Sequence, residues 1–261
     1  SMSRPSLLVS VRCADEVASA VSGGAEIIDV KEPSQGSLGM ASPETLAACS
    51  AAVPDCFIWT LAGGELLERD EDGNFAARRT NVSLAQLKRM PYAVKFGLSL
   101  CYDTEWIKIF EDVAATLPVN VRAIPVAYAD RLAAGSPSVP VVLEAAVQQG
   151  WSTVLVDTFD KAGSGSLLDL VSIETIQGWV LQASRHGVDV VLAGRLSVQD
   201  VPKVSACDPV AVAVRSAVCV GGRSGRVDTR LVQMVASQCR GGSMDSFQDG
   251  IVRNKLRGVN L

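Results

Sequence analysis

The chain has 261 residues, carries 24 basic against 28 acidic side chains for a formal charge of −4, and is 48% hydrophobic and 20% charged. That balance belongs to a folded globular chain and lacks the basic face of a nucleic-acid binder. No apolar run approaches the roughly 20 residues that span a bilayer, and the start Ser1-Met2-Ser3-Arg4-Pro5 has no apolar signal-peptide core, so a soluble, cytoplasmic protein without nucleic-acid or membrane partners is expected.

In chain order, short apolar and β-branched runs alternate with helix-like segments. Strand Leu7–Arg12 precedes a helix over Ala14–Ser22, and strand Ile27–Lys31 precedes one over Pro43–Ala52. Phe57–Leu61 runs into the charged, polar segment Glu65–Asn81, read as a long loop, and a helix over Ser83–Arg89. Then come Ala93–Leu98 with Asp103–Thr116, Val121–Tyr128 with Pro140–Gln149, and Thr153–Thr158 with Ile173–Arg185. Asp189–Ala193 with Val198–Val204, and Pro209–Arg215 with Asp228–Cys239, complete the series. Ser42-Pro43 supplies a capping serine and a proline at the first helical position, and Gly150 suits a left-handed helix stop.

The strands are near-continuous in Val, Ile, Leu and Ala, as strands buried on both faces should be. Eight βα units in one chain predict a (β/α)8 TIM barrel, a single domain over residues 1–261 with a polar tail from about 241. An open doubly wound sheet is the runner-up, but no strand leads into GxGxxG or GxxxxGK[ST].

Scarce residues narrow the chemistry. The single histidine, His186, sits before Gly187 at a helix end, where it favours the last turn. The seven cysteines form no CxxC pair and their count is odd, so neither a disulfide framework nor a zinc cluster is expected. No metal and no cofactor is predicted. Acid–base and nucleophilic work falls to lysines and carboxylates.

In a βα barrel, chemistry sits where strands run into the βα loops. Of seven lysines, Lys31 and Lys95 lie in or at the end of apolar strands, and Lys161 follows the sixth predicted strand close behind Asp157. Asp29 and Lys31 are two apart and face the same side of their strand. Clustered ammonium groups depress one another's pKa, burial adds to this, and the free amine of such a lysine attacks carbonyls to form a Schiff base. The alternative for the Asp29/Lys31 pair is a buried ion pair of no chemical consequence. The last two predicted strands end in Gly194 and in Arg215-Ser216, the latter leading to Gly221-Gly222. Loops at those positions often hold a phosphate in barrels, so these five residues are the candidate phosphate site.

Several stretches together resemble one family, the (5-formylfuran-3-yl)methyl phosphate synthases of methanofuran biosynthesis. They are Gly23-Gly24-Ala25-Glu26-Ile27-Ile28-Asp29-Val30-Lys31-Glu32-Pro33 with Gly36-Ser37-Leu38-Gly39, Val94-Lys95-Phe96-Gly97-Leu98, Ala127-Tyr128-Ala129-Asp130, Leu155-Val156-Asp157-Thr158-Phe159-Asp160-Lys161, Leu192-Ala193-Gly194 and Val214-Arg215-Ser216-Ala217-Val218-Cys219. The resemblance spans about residues 7 to 240. It implies a TIM-barrel lyase that condenses two glyceraldehyde 3-phosphate molecules, with loss of phosphate and water. It also implies the Schiff-base lysine at Lys31 with Asp29 beside it, and further active-site residues at Lys95, Asp157 and Lys161. A triose phosphate substrate and a homo-oligomer are the expected partners. A class I aldolase-like enzyme on another sugar phosphate, or a non-catalytic barrel that binds a phosphorylated metabolite, are the competing readings.

Overall fold

The structure, a computed structural model, describes residues 5–78 and 84–239. In chain order, β1 (Ser6–Val11), β2 (Ile27–Val30) and β3 (Ile58–Glu65) are followed by a hairpin of β4 (Leu67–Arg69) and β5 (Phe75–Ala77). Then come β6 (Ala93–Gly97), β7 (Arg122–Tyr128), β8 (Thr153–Asp157), β9 (Asp189–Leu192) and β10 (Ala211–Val214). All but the hairpin strands pair in parallel and close into a barrel, β1-β2-β3-β6-β7-β8-β9-β10, with β10 returning to β1. A second small hairpin, β11 (Cys219–Val220) with β12 (Arg226–Val227), follows β10. This is the predicted (β/α)8 TIM barrel.

Strand alternation builds two cores. Val9, Val30, Leu61, Phe96, Val154 and Val212 point outward onto the helices. Leu8, Ile27, Ile124, Leu155, Val191 and Ala213 fill the barrel interior. Ser10, Asp29, Thr60, Lys95 and Asp157 share the inward parity and are all buried, so the interior changes from apolar to polar toward the carboxyl ends of the strands.

Several local expectations hold. Ser42 Oγ accepts from Thr45 N–H at the helix Pro43–Ala52, and His186 closes the helix Ile173–Arg185 with Nδ1 3.0 Å from the Gln182 carbonyl. The segment read as one long loop is different: β3 runs on to Glu65, and the β4/β5 hairpin follows. Its turn is fixed by Asp70, whose Oδ1 accepts from the Asp72 and Asn74 amides. Of the helix expected over Ser83–Arg89, only Leu84 is helical among the described residues; turn and bend follow. Part of that segment and the polar tail lie outside the described residues. None of the described helices is long and apolar enough to cross a membrane.

Candidate active site

Register assembles the floor of the site. Ser10 pairs with Asp29 and Asp29 with Thr60 across β1, β2 and β3. The Asp29 carboxylate therefore accepts from Ser10 Oγ at 3.1 Å and Thr60 Oγ1 at 2.7 Å. Its ion-pair partner is Lys95 Nζ at 2.8 Å, not the neighbouring Lys31. Each member of this buried pair is held by opposite charge, which is what keeps such a pair tolerable in a low-dielectric interior.

The loop after β8 builds a second pair. Asp130 accepts from the Phe159 and Asp160 amides at 2.8 and 2.9 Å, and Asp160 Oδ1 accepts from the Ala162 and Gly163 amides. This folds the chain so that Lys161 Nζ reaches Asp157 Oδ1 at 2.7 Å, with the Thr158 carbonyl at 2.6 Å and its hydroxyl at 3.1 Å. Burial pushes the Asp157 carboxyl up, but the charges of Lys161 and Lys31 and the hydrogen bonds from Lys161 and the Thr158 amide outweigh it, and the net shift is downward.

Lys31 stands between the two pairs. It is 8% exposed, and among the described residues no carboxylate lies within ion-pair distance of it. Burial, reinforced by the charges of Lys161 and Lys95 and opposed by Asp157 and Asp29, lowers its pKa to about 7. A large part of Lys31 is thus free amine near neutral pH. Lys31, Lys95, Asp157 and Lys161 line one cavity with Ser10, Gly194, Arg195, Ser216 and Arg223.

The phosphate candidates divide. Gly194 and Ser216 line that cavity. Arg215 lines it too, but its guanidinium is spent within the protein. Nε donates to the Arg223 carbonyl, Nη1 to the Ser10 carbonyl and Glu16 Oε1, and Nη2 to Glu16 Oε2 and the Gly225 carbonyl. Those are all five N–H donors that an arginine has, so the expected role of this side chain as a phosphate donor is corrected to a structural one. Gly221 and Gly222 do not line the cavity; they form the exposed turn of the β11/β12 hairpin. Arg223, the next residue after Gly221-Gly222, clasps the Pro33 and Gly36 carbonyls at 2.9 and 2.8 Å and lines the cavity.

Sequence reasoning missed Glu65 and Tyr128. A bulge in β3 shifts its register against β6 between Ala62 and Glu65, which turns Glu65 inward. Tyr128 Oη donates to Glu65 Oε1 at 2.5 Å and the Ser99 amide to Oε2 at 3.1 Å. Gly97 makes the room: a Cβ there would lie 2.1 Å from Glu65 Oε2 and 2.3 Å from Tyr128 Oη. Burial raises the Glu65 carboxyl against the pull of those two hydrogen bonds. The glutamate follows Ala62-Gly63-Gly64 and was read as the start of a loop, so only recognition of the bulge would have found it.

A closed parallel barrel with lysines and carboxylates gathered at the carboxyl ends of its strands defines a (β/α)8-barrel enzyme with a lysine–carboxylate site. Comparison with known proteins gives the particular family. The chain belongs to the 4-HFC-P synthase family, which matches residues 7–236. It is 31% identical over 245 residues to the (5-formylfuran-3-yl)methyl phosphate synthase of Methanopyrus kandleri, covering 89% of this chain and 98% of that protein. It is 29% identical over 237 residues to the synthase of Methanocaldococcus jannaschii, covering 90% and 99%. Among solved structures, a phosphoribosylanthranilate isomerase from Thermotoga maritima superposes with a TM-score of 0.57 at 17% identity, covering 91% of this chain and 99% of that one. A thiamine phosphate pyrophosphorylase from Pyrococcus furiosus superposes at 0.54 and 13%, covering 91% and 97%; both likenesses concern the fold alone.

Proposed function

We propose that this soluble, cytoplasmic enzyme is a lyase that condenses two glyceraldehyde 3-phosphate molecules to (5-formylfuran-3-yl)methyl phosphate in methanofuran biosynthesis, and that Lys31 is its Schiff-base nucleophile. The observation that carries the assignment is the pairing pattern: Lys95 and Lys161 each hold a carboxylate, and Lys31 holds none among the described residues. Protonated, Lys31 has no lone pair to give; at about its own pKa it does.

Attack by Lys31 Nζ on a triose carbonyl gives a carbinolamine, which loses water to an iminium. The cation acidifies the neighbouring C–H and permits carbon–carbon bond formation. Asp157 and Lys161, joined by a 2.7 Å contact beside Lys31, take and return protons. The Asp29–Lys95 pair, fixed by Ser10 and Thr60, keeps the floor of the cavity polar and orients the intermediate. Loss of phosphate and water builds the aromatic furan, which makes the late steps downhill, and hydrolysis of the iminium releases the carbonyl compound and restores the Lys31 amine. Backbone amides at Gly194 and Ser216, with Arg223 in place of Arg215, hold a substrate phosphate. A homo-oligomer belongs to the same proposal. Tyr102 and Leu132, 65% and 85% exposed, sit on adjoining segments joined by the Tyr102 N–H to Gly135 carbonyl bond, and a partner copy would cover them.

Incubation with glyceraldehyde 3-phosphate and mass spectrometry of the small molecules tests the reaction. The furan aldehyde phosphate and one inorganic phosphate are expected. A different aldol product would favour the aldolase-like reading, and unchanged substrate the non-catalytic one.

A further inference from the structure

A condensation of two triose phosphates needs room for two three-carbon chains and two phosphate groups. The cavity around Lys31 is narrow, about 40 Å³. A second cavity of about 540 Å³ lies beside it, bounded by the loop after β2, the end of β3, the β4/β5 hairpin and the loop after β6. The two share a wall. The Thr158 carbonyl accepts from Lys161 Nζ, which lines the first cavity, and from Ser37 Oγ, which lines the second, at 2.6 and 3.0 Å.

The second cavity has a polar inner end and a cationic rim. Inside are the Glu65 carboxyl and Ser99, the latter buried. At the rim are Arg69 and Arg78, with Glu68 the one carboxylate among them. Gly64, at a φ of +85°, lets Arg78 lie flat against the strand end; a Cβ there would meet its guanidinium carbon at 2.5 Å. Arg78 pairs with Glu68, while Arg69 stacks on Phe75 at 4.6 Å and donates to the Gly73 carbonyl at 3.2 Å. Each guanidinium has five N–H donors, and among the described residues these contacts leave several on each unused. A phosphorylated three-carbon chain has the same polarity, with a dianion at one end and a carbonyl and hydroxyl at the other.

Resting on the condensation proposed above, we propose that this second cavity seats the second triose phosphate, with Arg69 and Arg78 on its phosphate and Glu65 and Ser99 at its carbonyl end. The first substrate is then captured on Lys31, and the second reaches it from the side of the loop after β2.

The test separates capture from condensation. The double variant Arg69→Ala/Arg78→Ala is compared with the wild type for the borohydride-trapped adduct on Lys31 and for furan formation against glyceraldehyde 3-phosphate concentration. The adduct is expected at its wild-type level, while half-saturation for furan formation rises by about tenfold or more, as loss of charge-assisted phosphate contacts implies. Met40→Trp, which narrows the same cavity from the loop after β2 and leaves both arginines in the sequence, is expected to act likewise. Unchanged half-saturation in both variants overturns the proposal, as does parallel loss of adduct and furan in both. A wild-type enzyme that makes furan without any adduct refutes the Lys31 reading alone, because the half-saturation readout still decides the fate of the cavity.

Discussion

Arg215 and Lys31 are both buried cations at the mouth of this barrel, and they are satisfied to different degrees. Arg215, at the end of β10, has every donor engaged, two of them on Glu16, which also accepts from the Arg12 and Val227 amides. Lys31, at the end of β2, is similarly buried and has no counter-ion within reach among the described residues. An engaged cation fixes structure: it ties Ser10 and Glu16 to the turn between β11 and β12. An unengaged one destabilises its own charged form, and the fold tolerates this only because neighbouring packing holds the position. On the function proposed above, the contrast puts stability on the arginine and chemistry on the lysine.

The largest effect should come from Lys31. Replacement by Arg keeps a cation but no accessible lone pair, and steady-state turnover is expected to fall by a factor on the order of 10⁴ or more. A variant within tenfold of wild type would erase the contrast. Arg215→Ala should act on the other side of it. It leaves Glu16 buried without its cation, and urea unfolding should show a loss of about 3–5 kcal/mol. A variant as stable as wild type but with a raised KM would return Arg215 to substrate binding.

The third effect is graded. Because the pKa of Lys31 is lowered to about 7, kcat/KM should fall about tenfold per pH unit below that value and level off above it. Stability has its own sign. Between about pH 7 and the ordinary lysine value of 10.5, the unfolded chain holds a proton at this position that the folded chain does not. Folding stability from Lys31 therefore rises with pH across that window, and Lys31→Met should flatten the rise. The smallest effect is none at all: a lysine Schiff base requires no Lewis acid, so exhaustive EDTA treatment should leave the rate unchanged. Loss of activity restored by one divalent metal would contradict the mechanism.

The fold was legible because the strands, buried on both faces, are written in Val, Ile, Leu and Ala, and the loops between them carry caps such as Ser42-Pro43. The positions of Lys31, Lys95, Asp157 and Lys161 were legible because a charged residue at the end of an apolar strand is conspicuous. Their pairing was not. Asp29 chooses Lys95 through cross-strand register that adjacency in sequence misrepresents, and the carboxylate that claims Arg215 lies 199 residues away. Glu65 was hidden by a bulge, which turns inward a residue that strict alternation from Ala62 would point outward. Gly221-Gly222 looked like a phosphate loop because a hairpin turn and an anion cradle draw on the same residue.

The most direct measurement is where a covalent adduct forms. Borohydride reduces an iminium to a stable secondary amine, so wild-type enzyme mixed with glyceraldehyde 3-phosphate and borohydride should carry one adduct, and peptide mass mapping should place it on Lys31. Lys31→Arg should carry none, while variants of Lys95 or Lys161 should still trap some. An adduct on Lys95 or Lys161 in the wild type, or undiminished trapping in Lys31→Arg, would contradict the assignment of the unpaired lysine as the nucleophile.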